Sequence, residues 1–283
     1  MRVMYPRDAP PISPSAPSDL VRAPLHPLSL RRKIQGAPVE TLPVDVSGLE
    51  AIYVGAADIA RGKVGSLRNP AYRKKYEDAY RLDLKRYGGE LSLEHANGLL
   101  EKRKKAPELL LRRWKQHGHH TPLSKEVALH IAPWMLPPVG VDGHVEIDNA
   151  LELGGIAEFL YAERLPSIRL WIHFKEYVVA VVPDGIADDY VYEFKATTLT
   201  GRDVEEVRDQ AIRQAQLYAY AFKRPNIKVQ IAHFELSRHT YPLKVRDLPK
   251  PEIATIFRPA SEDEALRILC DFDLAFRGLK RQG

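Results

Sequence analysis

The stretch Val182-Pro183-Asp184-Gly185-Ile186-Ala187-Asp188-Asp189-Tyr190-Val191-Tyr192-Glu193-Phe194-Lys195 leaves the chain few conformations. It reads as two short strands joined by a tight turn at Asp188-Asp189. Strand side chains alternate faces, so Glu193 and Lys195 share one face while Tyr192 and Phe194 take the other. A two-residue turn sets Ala187 opposite Tyr190, and the same register carried back sets Asp184 opposite Glu193. Two carboxylates and one ammonium then converge on a single patch. Such a patch suits a hard divalent cation with an activated water beside it. The rival reading is a surface hairpin carrying a solvated Asp-Glu-Lys cluster.

Composition narrows the classes. The chain has 283 residues, 45% of them hydrophobic, enough for one sizeable core and a subdomain. No run approaches eighteen consecutive apolar residues, and Met1-Arg2-Val3-Met4-Tyr5-Pro6 offers no apolar signal core, so a cytoplasmic protein without a membrane partner is expected. Cys270 is the only cysteine, which excludes an intramolecular disulfide, a four-cysteine iron–sulfur cluster and a cysteine-based zinc site. The formal net charge of +5 permits a polyanionic partner without demanding one.

The charge is unevenly spread. Residues 71–117 hold 13 Lys/Arg against seven Asp/Glu, an excess of six over a whole-chain excess of five, so the remainder is near neutral. Residues 1–48 hold nine of the 22 prolines and read as an extended arm. Four segments follow from this: a proline-rich arm at 1–48, a basic helical subdomain at 49–120, a core at 121–240, and a C-terminal segment with a helix at 241–283. Within the core, residues 123–132 read as a helix ended by Pro133, and 152–163 are ambiguous. Residues 168–174, 177–186 and 190–197 read as successive strands. A helix starts near Thr200-Gly201-Arg202-Asp203 and runs to Phe222, residues 227–236 form a fourth strand, and 262–277 form a last helix. The expected fold class is α/β: a mixed sheet flanked by helices.

The form P-D-x8-E-x-K, set in the order helix, three strands, helix, strand, resembles the PD-(D/E)xK nuclease superfamily with its restriction-endonuclease-like core. The resemblance implies that Asp184 and Glu193 bind Mg2+ or Mn2+ and that Lys195 orients or helps deprotonate the attacking water. The helix after Lys195 carries Gln210, Gln214 and Tyr218 on one stripe, and Gln214-x-x-x-Tyr218 resembles the Q-x-x-x-Y motif of the RecB-like branch. There the Gln and Tyr flank the active site. Gln216-x-x-x-Tyr220 fits the same letters on a different face, and an amphipathic helix with Tyr218 in the core is the plainer alternative. RecB-like nucleases also place a His or Glu on the helix before the first strand as a further metal ligand. His130 and Glu126 are the candidates, although Val127-Ala128-Leu129 lacks the glycine of that pattern, and a packed or capping His130 is the alternative. Ala56-Ala57-Asp58-Ile59-Ala60 resembles the segment before the first cluster cysteine of the CRISPR-associated RecB-like exonucleases, but without the cysteines no iron–sulfur cluster can be built.

Other residues carry weaker signals. Glu158 and Glu163 could support the site from behind or be ordinary solvated charges, and Thr197 and Thr198 could bond a phosphate oxygen. Tyr72, Tyr76, Tyr80 and Tyr87 form a helical stripe that reads as a buried face in preference to a base-stacking one. Lys102, Arg103, Lys104, Lys105, Arg112, Arg113 and Lys115 are the candidates for binding phosphates, against the default of a solvated charge run. The expected protein is a metal-dependent DNA nuclease, an exonuclease acting on single strands or duplex ends, with Asp184, Glu193, Lys195, Gln214 and Tyr218 as catalytic residues and DNA as partner. The alternative is a non-catalytic nucleic-acid-binding or assembly protein with a vestigial nuclease core.

Overall fold

The computed structural model describes residues 51–89, 92–104, 143–198, 202–236 and 241–280, with the backbone alone at 102–104, 202 and 279–280. In chain order the elements are β1 (Ile52–Gly55), α1 (Ala56–Ala60), α2 (Pro70–Tyr87), α3 (Leu93–Lys104), β2 (Glu146–Ile147), α4 (Ala150–Tyr161), β3 (Leu170–Phe174), β4 (Tyr177–Val181), β5 (Gly185–Ile186), β6 (Tyr190–Thr197), α5 (Arg202–Phe222), β7 (Asn226–His233), β8 (Leu243–Lys244), β9 (Glu252–Pro259) and α6 (Glu262–Lys280). The architecture is mixed α/β with small mixed sheets. No helix among the described residues is long and apolar enough to cross a membrane.

Three sheets form among these residues, in the orders β1-β4-β3, β2-β8 and β5-β6-β7-β9. The four-stranded sheet is the centre. β6 and β7 run parallel, joined by the crossover helix α5. On one side Val191, Ile227, Val229 and Ile231 pack with Ala211, Ala215 and Leu217 of α5. On the other, Tyr192 and Phe194 pack with Leu153, Ile156 and Phe159 of α4. The period of two expected along residues 190–197 is therefore realised between two helices. Every residue of β3 and β4 is buried, which explains why both strands read as continuous apolar runs.

Three parts differ from expectation. The strand expected over 177–186 is broken into β4 and β5, which belong to separate sheets. Pro183 lies in the break, where it has no N–H to give a ladder. The helix directly before the strands is α4, which starts two residues ahead of the ambiguous segment 152–163 and covers most of it. Asn149 caps it, its side chain accepting from the N–H groups of Leu151 and Glu152 at 3.0 Å, and Glu152 reaches back to the Asp148 N–H at 2.9 Å. The helix expected at 123–132 lies outside the described residues. Finally, β1 pairs parallel with β4, and β9 pairs antiparallel with β7. Segments 49–120 and 241–283 thus each add a strand to the core sheets.

Candidate active site

The hairpin register is the one a two-residue turn dictates. Gly185 faces Tyr192 and Ile186 faces Val191, and the Ala187 N–H donates to the Tyr190 carbonyl at 2.9 Å. Asp184, one residue before β5, comes opposite Glu193, and its Oδ2 accepts the Phe194 N–H at 2.7 Å. Glu193 is fully buried. Its Oε1 takes a hydrogen bond from Lys195 Nζ, while its Oε2 is buried with no hydrogen-bond partner.

A third carboxylate joins from α4. β5 is an edge strand, and its free side is held by the segment that follows α4. The Ile186 N–H donates to the Pro166 carbonyl at 2.9 Å, and Ser167 Oγ donates to the Pro183 carbonyl. Gly185 lies so close that a Cβ there would stand 2.7 Å from the Leu165 Cβ. These contacts draw the end of α4 onto the strand that carries Asp184, and Glu158 acts directly on Asp184 and Lys195. Glu163 does not join. It accepts from Tyr190 Oη at 2.8 Å and pairs with Lys228.

The electrostatics follow from three acids around one ammonium. Burial pushes Glu158 up to about 8, helped by Asp184 and opposed by Lys195. Burial also raises Asp184, against Lys195, the Phe194 N–H and Glu193. Glu193 is driven well above the carboxylate range by burial and then by Asp184. Burial works to lower Lys195, but Glu193 and Asp184 outweigh it and hold it up. All three acids hold protons more tightly than usual because one lysine cannot balance them in a poorly hydrated place.

α5 closes the site from above. Gln214 and Tyr218 are both buried, and Gln214 Nε2 donates to the Tyr218 hydroxyl. Burial and then Glu193 and Asp184 keep that hydroxyl protonated. Gln210, on the same stripe, is instead a turn away at the partly exposed end, bonded to Glu206 at 2.9 Å. Gln216 serves a different purpose. It donates to Glu264 at 3.0 Å and accepts the Ser261 N–H at 2.8 Å, docking the start of α6. The tyrosine stripe of α2 turns inward, with Tyr80 buried against Trp171. Two residues that sequence reasoning missed act on the site's charges: Arg61 on Lys195, and Tyr76 on Tyr218.

The donor set is all oxygen, the chemistry of Mg2+ or Mn2+, and the orphaned Glu193 Oε2 fits such an ion. Among the described residues no group of three or more His, Cys, Asp or Glu is already gathered as a metal cage. Lys195 holds one oxygen of Glu193, and the Phe194 N–H holds one of Asp184. His130, Glu126, Lys105, Arg112, Arg113 and Lys115 lie outside the described residues. Lys102, Arg103 and Lys104 fall on the last turn of α3, with the backbone alone described. Neither a protein-family profile, nor a curated protein, nor a solved structure matches the chain.

Proposed function

We propose that this chain is a metal-dependent deoxyribonuclease with a restriction-endonuclease-like core of the PD-(D/E)xK type, RecB-like branch. The observation that carries the reading is Glu193, a fully buried carboxylate with one oxygen unpartnered, beside Asp184 and Glu158. A surplus of buried acid is costly unless a cation neutralises it or protons do. The order α4, then β3, β4, β5 and β6, then α5 and β7 supports the same reading: it is helix, three strands, helix, strand once β4 and β5 are counted as the one strand that breaks at Pro183.

In this reading Asp184 and Glu193 hold Mg2+ or Mn2+, with Glu158 in the position for which His130 was the candidate. Gly154 and Gly155 precede Glu158, in keeping with the glycine that the RecB-like pattern carries before this ligand. An ion held by these carboxylates would supply polarisation of the scissile phosphate and a more acidic water. Lys195 would orient the attacking water, its ammonium donating to the water oxygen. Tyr218 keeps its proton and donates, oriented by Gln214. Lys102, Arg103, Lys104, Lys105, Arg112 and Arg113 draw the DNA backbone in.

The test is cleavage of end-labelled single- and double-stranded DNA, linear and circular, with Mg2+, Mn2+ or EDTA. Metal-dependent loss of label from linear DNA, abolished in Asp184→Asn, Glu193→Gln and Lys195→Ala, is the expected result. No cleavage of any substrate by a folded protein that still binds DNA would favour the non-catalytic alternative.

A further inference from the structure

β9 is the outer strand of the central sheet and, among the described residues, pairs with β7 alone. Its hydrogen-bond phase is set by the Ala260 N–H, which donates to the Pro225 carbonyl at 2.8 Å. In an antiparallel ladder the hydrogen-bonded pairs alternate. Arg258, Ile256 and Ala254 therefore exchange bonds with Ile227, Val229 and Ile231. Ile253, Thr255 and Phe257 turn their N–H and C=O groups away from β7. All three are exposed, Ile253 at 41% and Phe257 at 54%.

Free edges are commonly blunted by lysine, proline or a bulge. Here the prolines, Pro251 and Pro259, stand only at the two ends, and the stretch Ile253-Ala254-Thr255-Ile256-Phe257 carries no charge. It is also self-complementary. Laid antiparallel on a second copy about Thr255, it sets Ile253 opposite Phe257 of the second copy and Thr255 opposite itself. Glu252 then meets Arg258 of the second copy, an acid against a base. The outward-facing groups match in phase, so three pairs each exchange two bonds, about six in all. The Ile253 and Phe257 side chains cover one another on the face where Phe257 already meets Tyr190.

We propose that β9 is the seam of a two-fold homodimer in which two copies of the four-stranded sheet join about Thr255. The contact is isologous, so it closes on itself and does not propagate into fibres. It stands independently of the proposed nuclease activity.

The test is the mass of the full chain in solution by light scattering or sedimentation. The expected value is twice the 32.1 kDa chain. On the axis each residue meets its own copy, so Thr255→Glu and Thr255→Lys should each fall to the single-chain mass with unchanged circular dichroism. An equimolar mixture of the two variants should recover the double mass, because glutamate then faces lysine. Leu274→Glu, on the exposed side of α6, should remain a dimer. A single-chain mass for the unaltered protein overturns the seam, as do dimers that survive both Thr255 substitutions or a mixture that stays monomeric. Loss of the dimer in Leu274→Glu alone would move the interface to α6 and overturn it equally.

Discussion

Glu193 and Asp273 are both buried carboxylates, at 0% and 1% exposure, yet their chemistry is opposite. Asp273 on α6 accepts from Lys175, from the Tyr177 hydroxyl at 3.0 Å, and from Arg277 Nε at 2.9 and 3.0 Å. Burial works to raise it, but these donors hold it below the usual carboxylate range. Glu193 has one donor, Lys195, and two acids beside it, and it rises well above that range. Burial is common to both, so the number of donors decides. A saturated carboxylate staples α6 to the β3–β4 turn, whereas an undersaturated one makes a place for a cation. Asp83 shows the intermediate case. One oxygen takes the Trp171 Nε1–H at 2.6 Å and the other has no partner, and burial pushes the group up to about 7. Its charged neighbours are Arg169 and Arg86, so no surplus of acid gathers there.

The sharpest way to break this distinction is to neutralise each acid in turn. Glu193→Gln should cut metal-dependent cleavage by about 100-fold or more and change the melting temperature in EDTA little, since the amide replaces an acid whose affinity for a proton is strongly raised. Asp273→Asn should cost about 2–3 kcal/mol of stability and leave the cleavage rate unchanged below its melting point. Paired activity assays and thermal melts check both. Equal loss of activity at the two positions would erase the contrast.

The pH dependence should separate them next. Glu158 binds its proton more tightly folded than unfolded, so its contribution is complete below about 4.5 and is lost as pH rises to about 8. Melting in EDTA should therefore decline across that window, and Glu158→Gln should flatten the decline. Mg2+ or Mn2+ should reverse its sign, because the ion binds the deprotonated acids. Asp273 runs the other way. Its contribution is present above the unfolded value of 3.8 and is lost as pH falls through its lower folded value. Melts across pH with and without metal, in the two single variants, measure both limbs.

Gln214 and Gln216 of α5 give a smaller contrast. Gln214→Ala should lower turnover roughly 10- to 100-fold through misplacement of Tyr218 with little change in melting. Gln216→Ala should cost about 1–2 kcal/mol by releasing Ser261 and Glu264 at the start of α6 with turnover intact. An unstable Gln214→Ala variant would make that stripe ordinary core. Smallest of all, alanine at Lys102, Arg103, Lys104 and Lys105 should flatten the salt dependence of DNA binding by about one log–log unit per lost phosphate contact, measured by titration at several ionic strengths. An unchanged slope would leave the run as a solvated face and send the DNA along α5.

The sequence by itself determined what depends on near neighbours. A two-residue turn and a period of two are enough to bring Asp184, Glu193 and Lys195 together, because register propagates rigidly from the turn. Helical spacing likewise put Gln214 and Tyr218 on one stripe. Only the tertiary structure decided the rest. Gly154-Gly155 hides α4 from a periodicity reading, although Asn149 and Glu152 mark its start, so Glu158 reads from the sequence as no more than a support from behind or a solvated charge. Its place depends on how closely Gly185 lets β5 approach Leu165. Pro183 reads in sequence as part of one strand, but two sheets meet at the break it makes. The letters of Gln214 and Gln216 are equivalent, and they diverge because one bonds Tyr218, whose hydroxyl is acted on by Glu193 and Asp184, while the other docks Ser261 and Glu264 at the start of α6. β1 and β9 are short or exposed, with too little apolar alternation to stand out. They are held as strands by β4 and β7, ladder partners far away along the chain.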